Sequence, residues 1–468
     1  MYRQVLVQDE YQDLQRILWR PNIMEEIKQF RLTTVIYGTS IAPYLAVRCL
    51  HQVGLDTMEK NPMLAKVIIK DFYVDDLLTG ANSVKEARKL KGQLQETLGK
   101  VHFNLRKWTS NSQEVIHKEN VASIGHLISD DGISKILGLL WNSRDILYFT
   151  TRVIPTNNRV TKRIILSSIS KTFDPLGLVG PCIIKAKLIM QKLWKLNLSW
   201  DESVPNDVHT EWLRFQNKFE WINKVKMPRQ VISATAKRIQ IHGYCDASEQ
   251  AYGACIYARS THSTGNHLVR LICAKSKVSP LKCISLPKLE LCGALLLARL
   301  VSSVVKALDM NIQKITYWCD SQITLAWIAG EPYKWKTFIS NRVAEIQQLT
   351  RLNQWRHVAS KENPADIISR GLEPVELANC ELWWNASPWI SMDEQFWPKH
   401  DVKFPDEMPQ QKTNCISLVS ATQRFDLFTR YTSLTKLQRV IAYIFRFRVL
   451  RAFRLFSIRH SQRLSTDP

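Results

Sequence analysis

The sequence predicts a multidomain protein of mixed class, α/β and α+β, and three observations carry that prediction. From about residue 236 to 371, strand-like and helix-like runs alternate around one nearly all-round apolar helix, as in a mixed sheet covered by helices. The first third interleaves β-rich pieces with turn signals and a polar helix, which is how an antiparallel sheet with helices on one face would be written. Between the two lies a stretch in which helical spacing dominates. At 468 residues and 45% hydrophobic content, the chain can fill several cores.

Element by element, RLTTVIYGTS (31–40) and AKVIIKDFYVDDLL (65–78) predict strands, SVKEARKLKGQLQETLG (83–99) a polar helix and VHFNLRKW (101–108) a short strand. SKILGLLW (134–141) and DILYFTTRV (145–153) are two more strands joined by the turn-forming NSRD. After the breakers of FDPLGLVGP (173–181), CIIKAKLIMQKLWKL (182–196) and VPNDVHTEWLRFQNKFEWI (204–222) predict helices. KRIQIHGYCDAS (237–248), YGACIYAR (252–259) and HLVRLICAKSKV (267–278) form a three-stranded meander. LPKLELCGALLLARLVSSVVKAL (286–308) has the composition of a helix buried against a sheet. KITYWCDS (314–321) returns to strand, TFISNRVAEIQQL (337–349) is a helix, QWRHVA (354–359) a strand, and NPADIISRG (363–371) a short helix capped by Asn363 and closed by Gly371. The domain boundaries that follow are 1–153, 154–232, 233–375, a Trp-rich linker over 376–423 and a basic helical tail over 424–468.

Charge narrows the partners. Sixty-four Lys and Arg against 42 Asp and Glu leave +22, so the summed field favours a polyanion, nucleic acid first. The ten cysteines are scattered without CxxC pairs or zinc spacing, which predicts reduced core thiols and no zinc module. The N-terminal MYRQVLVQDEYQD lacks the apolar core of a signal peptide. The expectation is an intracellular protein, cytoplasmic or nuclear, neither secreted nor membrane-bound.

Four acids occupy places where a charge is expensive. Asp246 ends a strand, Glu290 lies in the first turns of the apolar helix, Asp320 ends another strand and Asp366 sits in the last short helix. Any one of them could be a cap or a solvated loop acid. Four on a strand, helix, strand, helix framework require pairing or divalent cations, and carboxylate oxygens suit Mg²⁺ or Mn²⁺. A different acidic pair, Asp75 and Asp76 in KDFYVDDLLTG (70–80), interrupts an apolar run. Such a pair belongs either at a solvated turn or around a cation.

YCDAS, LPKLEL, WCDS and NPAD, which hold these four acids, resemble the Asp-Glu-Asp-Asp set of the ribonuclease H domain of retroelement polyproteins. LPKLELCGALLLARL, NPADIISRGL, LWWNASPW and FDPLGLVGPCIIKAK are similar to the Pao (BEL) class of long-terminal-repeat retrotransposons, over residues 1 to about 447. The resemblance implies a partial reverse transcriptase palm over 1–153, a helical thumb or connection over 154–232 and a ribonuclease H-like mixed sheet over 233–375. It implies hydrolysis of the RNA strand of RNA/DNA hybrids by two Mg²⁺ or Mn²⁺ ions held by Asp246, Glu290, Asp320 and Asp366, with His357 aiding product release or proton transfer. Under the same resemblance YVDD (73–76) is the polymerase signature, with Asp75 and Asp76 as metal ligands. Tyr73, Lys107 and Trp108 in FNLRKWTSN, and Gly138 and Trp141 in KILGLLW, would meet primer and template. The partners implied are the hybrid, a primer-template and other parts of a retroelement polyprotein. The alternative is a nucleic-acid-binding remnant of such a polyprotein without activity.

In the family a third polymerase carboxylate lies upstream of a segment like MYRQV, and this sequence starts at that Met1. Asp9 and Asp13 lie on the wrong side of it. No integrase zinc spacing or protease signature occurs. Loss of one metal ligand leaves transition-state charge uncompensated, so this chain alone is expected not to extend a primed template. Nucleotide incorporation by the purified chain would refute that expectation.

Overall fold

The computed structural model describes residues 1–116, 133–136, 138–151, 159–233, 235–398, 408–412 and 430–447. They fall into two units, 1–412 and 413–468.

The first unit starts with a short helix α1 (Asp9–Gln12) and an exposed ribbon of β1 (Arg16–Trp19) and β2 (Lys28–Arg31). Helices α2 (Ala42–Thr57) and α3 (Pro62–Lys70) follow, then a hairpin of β3 (Phe72–Tyr73) and β4 (Asp76–Leu77), then α4 (Val84–Gly99). The antiparallel sheet expected here does not form among the described residues. The core is instead made by helices, with Leu50, Leu64, Ile68, Leu94 and Leu98 buried together.

Three strand expectations are corrected. Val67 to Ile69 lie in α3, because Asn61 Oδ1 caps Leu64 N–H at 3.1 Å, Pro62 opens the helix, and Leu64, Ala65 and Ile68 share its buried face. Capping and helical spacing override the β-propensity of a short VII run. RLTTVIYGTS contributes only Arg31 to a strand, and 103–110 is irregular, with Phe103, Leu105 and Trp108 against the helical core.

A four-stranded sheet comprises β5 (Ile133–Ile136), β6 (Leu139–Asn142), β7 (Ile146–Tyr148) and β8 (Lys226–Pro228). SKILGLLW is therefore two strands, and residues 152–153 of DILYFTTRV lie outside the described residues. The chain turns at Gly138, whose φ is +84° and where a Cβ would meet Phe173 at 2.4 Å. Only glycine satisfies both the conformation and the contact.

Helices α5 (Lys162–Ser170), α6 (Gly180–Lys195) and α7 (Asn206–Phe219) precede a five-stranded mixed sheet. It holds β9 (Arg238–Ala247), β10 (Ala251–Thr261), β11 (His267–Val278), β12 (Lys314–Cys319) and β13 (Trp355–His357), in the order β11-β10-β9-β12-β13. The meander β9–β11 is antiparallel, and β9, β12 and β13 run parallel. One face carries α8 (Leu286–Leu308), α9 (Gln322–Ala329) and α10 (Thr337–Leu349). Helix α8 is long and apolar enough to cross a membrane by length and composition alone, yet Leu291, Ala294, Leu297, Ala298 and Val301 are buried against the sheet. Helix α9 was not expected, since QITLAWIA is apolar all round and without period. Ser321 announces it, its Oγ accepting Thr324 N–H at 3.2 Å.

The other face carries α6, α11 (Ala365–Arg370), α12 (Pro374–Ala378) and α13 (Glu381–Asn385). The expected linker is, over 376–398, a layer of the fold. Trp383 is fully buried, its indole N–H donating to Leu178 O at 2.9 Å while its carbonyl accepts Tyr257 Oη at 2.7 Å. Arg259, also buried, donates to Ile390 O and Met392 O, both at 2.8 Å, and to Gln240 Oε1 at 2.6 Å. Indoles with satisfied N–H groups bury large area, which is why a Trp-rich stretch packs rather than links. Nor do the sheet and the helical region part at residue 233. Leu178, Val179, Cys182 and Ile189 share one core with Tyr257, Trp318 and Ile368.

In the second unit residues 434–447 are helical, with Leu434, Tyr443, Phe445 and Phe447 exposed. The remainder of the expected basic tail, 424–429 and 448–468, lies outside the described residues.

If 376–398 is part of the core, Trp383→Ala should lower stability by about 3–5 kcal/mol, as large aromatic truncations in packed cores do. Urea unfolding measures this, and a change below about 1 kcal/mol would show the segment to be peripheral.

Candidate active site

Four elements carry the four acids to one end of the five-stranded sheet. Strand β12 pairs with β9 in parallel, with Cys319 opposite Cys245, so Asp246 and Asp320 leave neighbouring strand ends in the same direction. Helix α8 brings Glu290 against that end, and Gly293 lets it come close. A Cβ at Gly293 would lie 3.1 Å from the Asp246 carbonyl oxygen. Helix α11 contributes Asp366 and is tied to β9 by Asn363, which donates from Nδ2 to Cys245 O at 3.1 Å and accepts Ala365 N–H at 3.1 Å. The cap position expected of Asn363 belongs to Pro364, one residue on, and Asn363 acts as a clamp that holds the helix start to β9.

Asp246 and Glu290 are buried, whereas Asp320 and Asp366 are partly open. Burial, then the charges of Asp246 and Asp320, push the Glu290 carboxyl up to about 9. Burial, then Asp320, raise Asp246 to about 7, against a hydrogen bond from Ser369 Oγ to its Oδ2. Two buried oxygens, Glu290 Oε2 and Asp320 Oδ1, have no hydrogen-bond partner. Buried polar atoms are nearly always satisfied, so these mark a place built for something positive. Part of the charge is met by Arg370, whose Nε lies 2.5 Å from Asp366 Oδ1 and whose guanidinium is held protonated by Asp366 first and then by Asp246 and Asp320. His357, beside Cys319 on β13, has Nε2 3.2 Å from Asp320 O. A carbonyl only accepts, so Nε2 carries the proton and Nδ1 is the basic atom.

Sequence reasoning missed Ser369, Arg370, Gly293 and Cys319. The spacing ADIISR places Ser and Arg one helical turn beyond Asp366, and a Cys precedes the Asp in both YCD and WCD. The donor set fits hard divalent cations, because carboxylates converge with uncompensated charge. Among the described residues one group of three possible ligands forms, Glu290, Cys319 and Asp320, with their ligand atoms all within 4.8 Å.

The other nominated residues lie elsewhere. Asp75 and Asp76 are exposed in the β3–β4 hairpin, where Val74 has φ +57°. That value is unusual for a β-branched residue and stores strain. The acidic pair therefore stands at a solvated turn. Tyr73 and Lys107 are exposed, Lys107 with φ +55°. Trp108 packs on the helical core with Lys91 Nζ 5.6 Å from its ring centre. Trp141 is buried, its indole N–H donating to Asp145 Oδ1 at 2.9 Å. Its ring thus faces protein, a correction to its nomination as a nucleic-acid contact.

The family model of the Pao retrotransposon-like RNaseH-like domain matches residues 161–321. This stretch is similar to the RNaseH-like domain of Pao-type retrotransposons. The match begins at α5, consistent with the shared core of helices and sheet, and it contains Asp246, Glu290 and Asp320 but stops before His357 and Asp366. Among solved structures, two foamy viral protease-reverse transcriptases in complex with double-stranded DNA are similar at 12% and 13% identity and TM-scores of 0.43 and 0.39. The similarity covers 76% of this chain in both and 54% and 64% of theirs. RNase H1 from the archaeon Halobacterium salinarum is similar at 13% identity and TM-score 0.18, over 27% of this chain and 90% of its own. No curated protein matches the sequence.

Between the ordinary glutamate value of 4.5 and about 9, the metal-free fold keeps a proton on Glu290 that the unfolded chain releases. Stability must therefore fall as pH rises through that window. Glu290→Gln should flatten the fall, so urea midpoints measured at the two ends of the window should differ less in the variant. Equal pH dependence in both proteins would contradict the assignment.

Proposed function

We propose that this chain hydrolyses the RNA strand of RNA/DNA hybrids at the site formed by Asp246, Glu290, Asp320 and Asp366. The observation that carries the reading is the convergence of these carboxylates from β9, α8, β12 and α11, with buried oxygens of Glu290 and Asp320 left without partners. The four acids would hold two Mg²⁺ or Mn²⁺ ions, which supply the charge that activates a water and stabilises a leaving oxygen.

The chain's own residues do the rest. Ser369 fixes the Asp246 carboxylate, and Asn363 fixes the strand end behind it. Glu290 is buried, so once a cation displaces its proton its charge would act at low local dielectric. His357 offers Nδ1 to take or return a proton at the half-buried rim. Lys288, two residues before Glu290, and Arg342 both sit against Phe338, at 5.6 and 3.6 Å from its ring. They would meet phosphates, a contact that weakens with salt. The hybrid would be recognised by groove shape and 2′-hydroxyls, without sequence preference.

Incubating the purified full chain with a labelled RNA/DNA hybrid and Mg²⁺ tests this. The RNA strand should be cut, and Asp246→Asn and Asp320→Asn should each lower the rate by at least about 100-fold, as loss of a charge-stabilising group does. A folded chain that binds the hybrid and leaves it intact would favour the inactive remnant.

A further inference from the structure

The same end of the sheet holds a donor that a Mg²⁺ nuclease does not use. Cys319 is fully buried, and its Sγ shares the 4.8 Å cluster with the carboxylate oxygens of Glu290 and Asp320. Its thiol lies 3.9 Å from Ser321 O and also meets the Cys245 thiol, both weak sulfur contacts that a metal bond can replace. The depth is graded. Asp320 is half-buried, Glu290 is 8% exposed and Cys319 0%, so the sulfur lies deepest and the two carboxylates lie nearer the surface. Glu290 Oε2 and Asp320 Oδ1, buried beside the sulfur, both lack hydrogen-bond partners.

Hard cations ignore sulfur, whereas Zn²⁺ and Cd²⁺ favour thiolate and accept carboxylate beside it. We propose that Cys319, Glu290 and Asp320 form a binding site for a thiophilic divalent cation, Zn²⁺ or its analogue Cd²⁺, which excludes Mg²⁺ because the two share both carboxylates. The S–H bond breaks and its proton leaves to solvent as the sulfur–metal bond forms, with no change of oxidation state. One thiolate and two carboxylates outweigh the dication, so the buried charge is compensated. Sequence spacing could not show this site, because its sulfur and its oxygens come from β12 and α8. The inference shares ligands with the nuclease reading but does not need catalysis.

Titration of the metal-free full chain with Cd²⁺, followed by the ultraviolet thiolate-to-metal charge-transfer absorption, is the test, in a Cys283→Ser background because Cys283 is the exposed thiol among the described residues. One saturable equivalent should appear, and excess Mg²⁺ should reduce it. Cys319→Ser and Cys319→Ala should each abolish the signal, Cys245→Ala should retain it, and Glu290→Gln, which keeps the thiol, should weaken binding at least tenfold. Absence of the band, its survival in Cys319→Ser, or its equal loss in Cys245→Ala overturns the proposal. Cleavage of the hybrid without a Cd²⁺ band would sink this inference alone, and a band without cleavage would sink the nuclease reading alone.

Discussion

Like charges cannot share a dry place, and the end of the five-stranded sheet is arranged around that constraint. Two unit charges 4 Å apart repel by about 4 kcal/mol at an effective dielectric of ~20. Here the parallel pairing of β9 and β12 puts Asp246 and Asp320 side by side, and α8 presses Glu290 against them. The fold tolerates this by burial, which raises the Glu290 carboxyl to about 9 and that of Asp246 to about 7, and by lending the guanidinium of Arg370. A bound cation would replace each device.

Holding such a cluster together needs rigid support on both faces of the sheet. On one, the close approach at Gly293 fixes α8 to β9. On the other, α11 is pinned from above and below: Ile368 fills the space over Gly253 and Gly180, and Asn363 grips the backbone at Cys245. Further along β9, Glu394 accepts Gln240, Lys314 and Arg238 and is held down to about 2 despite partial burial. His242, buried between Trp318 and Trp397, stays neutral, its Nδ1 accepting the Trp318 indole N–H at 3.3 Å. The Trp-rich segment is therefore a second wall of the same core, and the electrostatics at the strand ends rest on it.

Much of this was legible in the chain. The meander, α8, β12, α10 and α11 follow from period, caps and breakers, and the four acids announce themselves as charges at strand ends and in apolar helices. The N-terminal third misled because its β-branched runs are short. Asn61 and Pro62 decide α3 locally, and the ribbons there have too few residues to build a sheet. Helix α9 and the packing of 376–398 were hidden because neither carries a period, and indole N–H partners such as Leu178 lie some two hundred residues away. Cys319 acquires meaning only when strands whose paired residues lie 74 apart meet, and Arg370 only when α11 packs at their ends.

Protons held on the buried carboxylates of Glu290 and Asp246 would have to leave when a cation binds. Calorimetry of Mg²⁺ binding to the metal-free chain near neutral pH, repeated in buffers of different ionisation enthalpy, measures that displacement directly. Net proton release from the Glu290 and Asp246 pair is expected on binding. Binding with no proton exchange would mean that the carboxylates were already ionised and that the site is not organised as described.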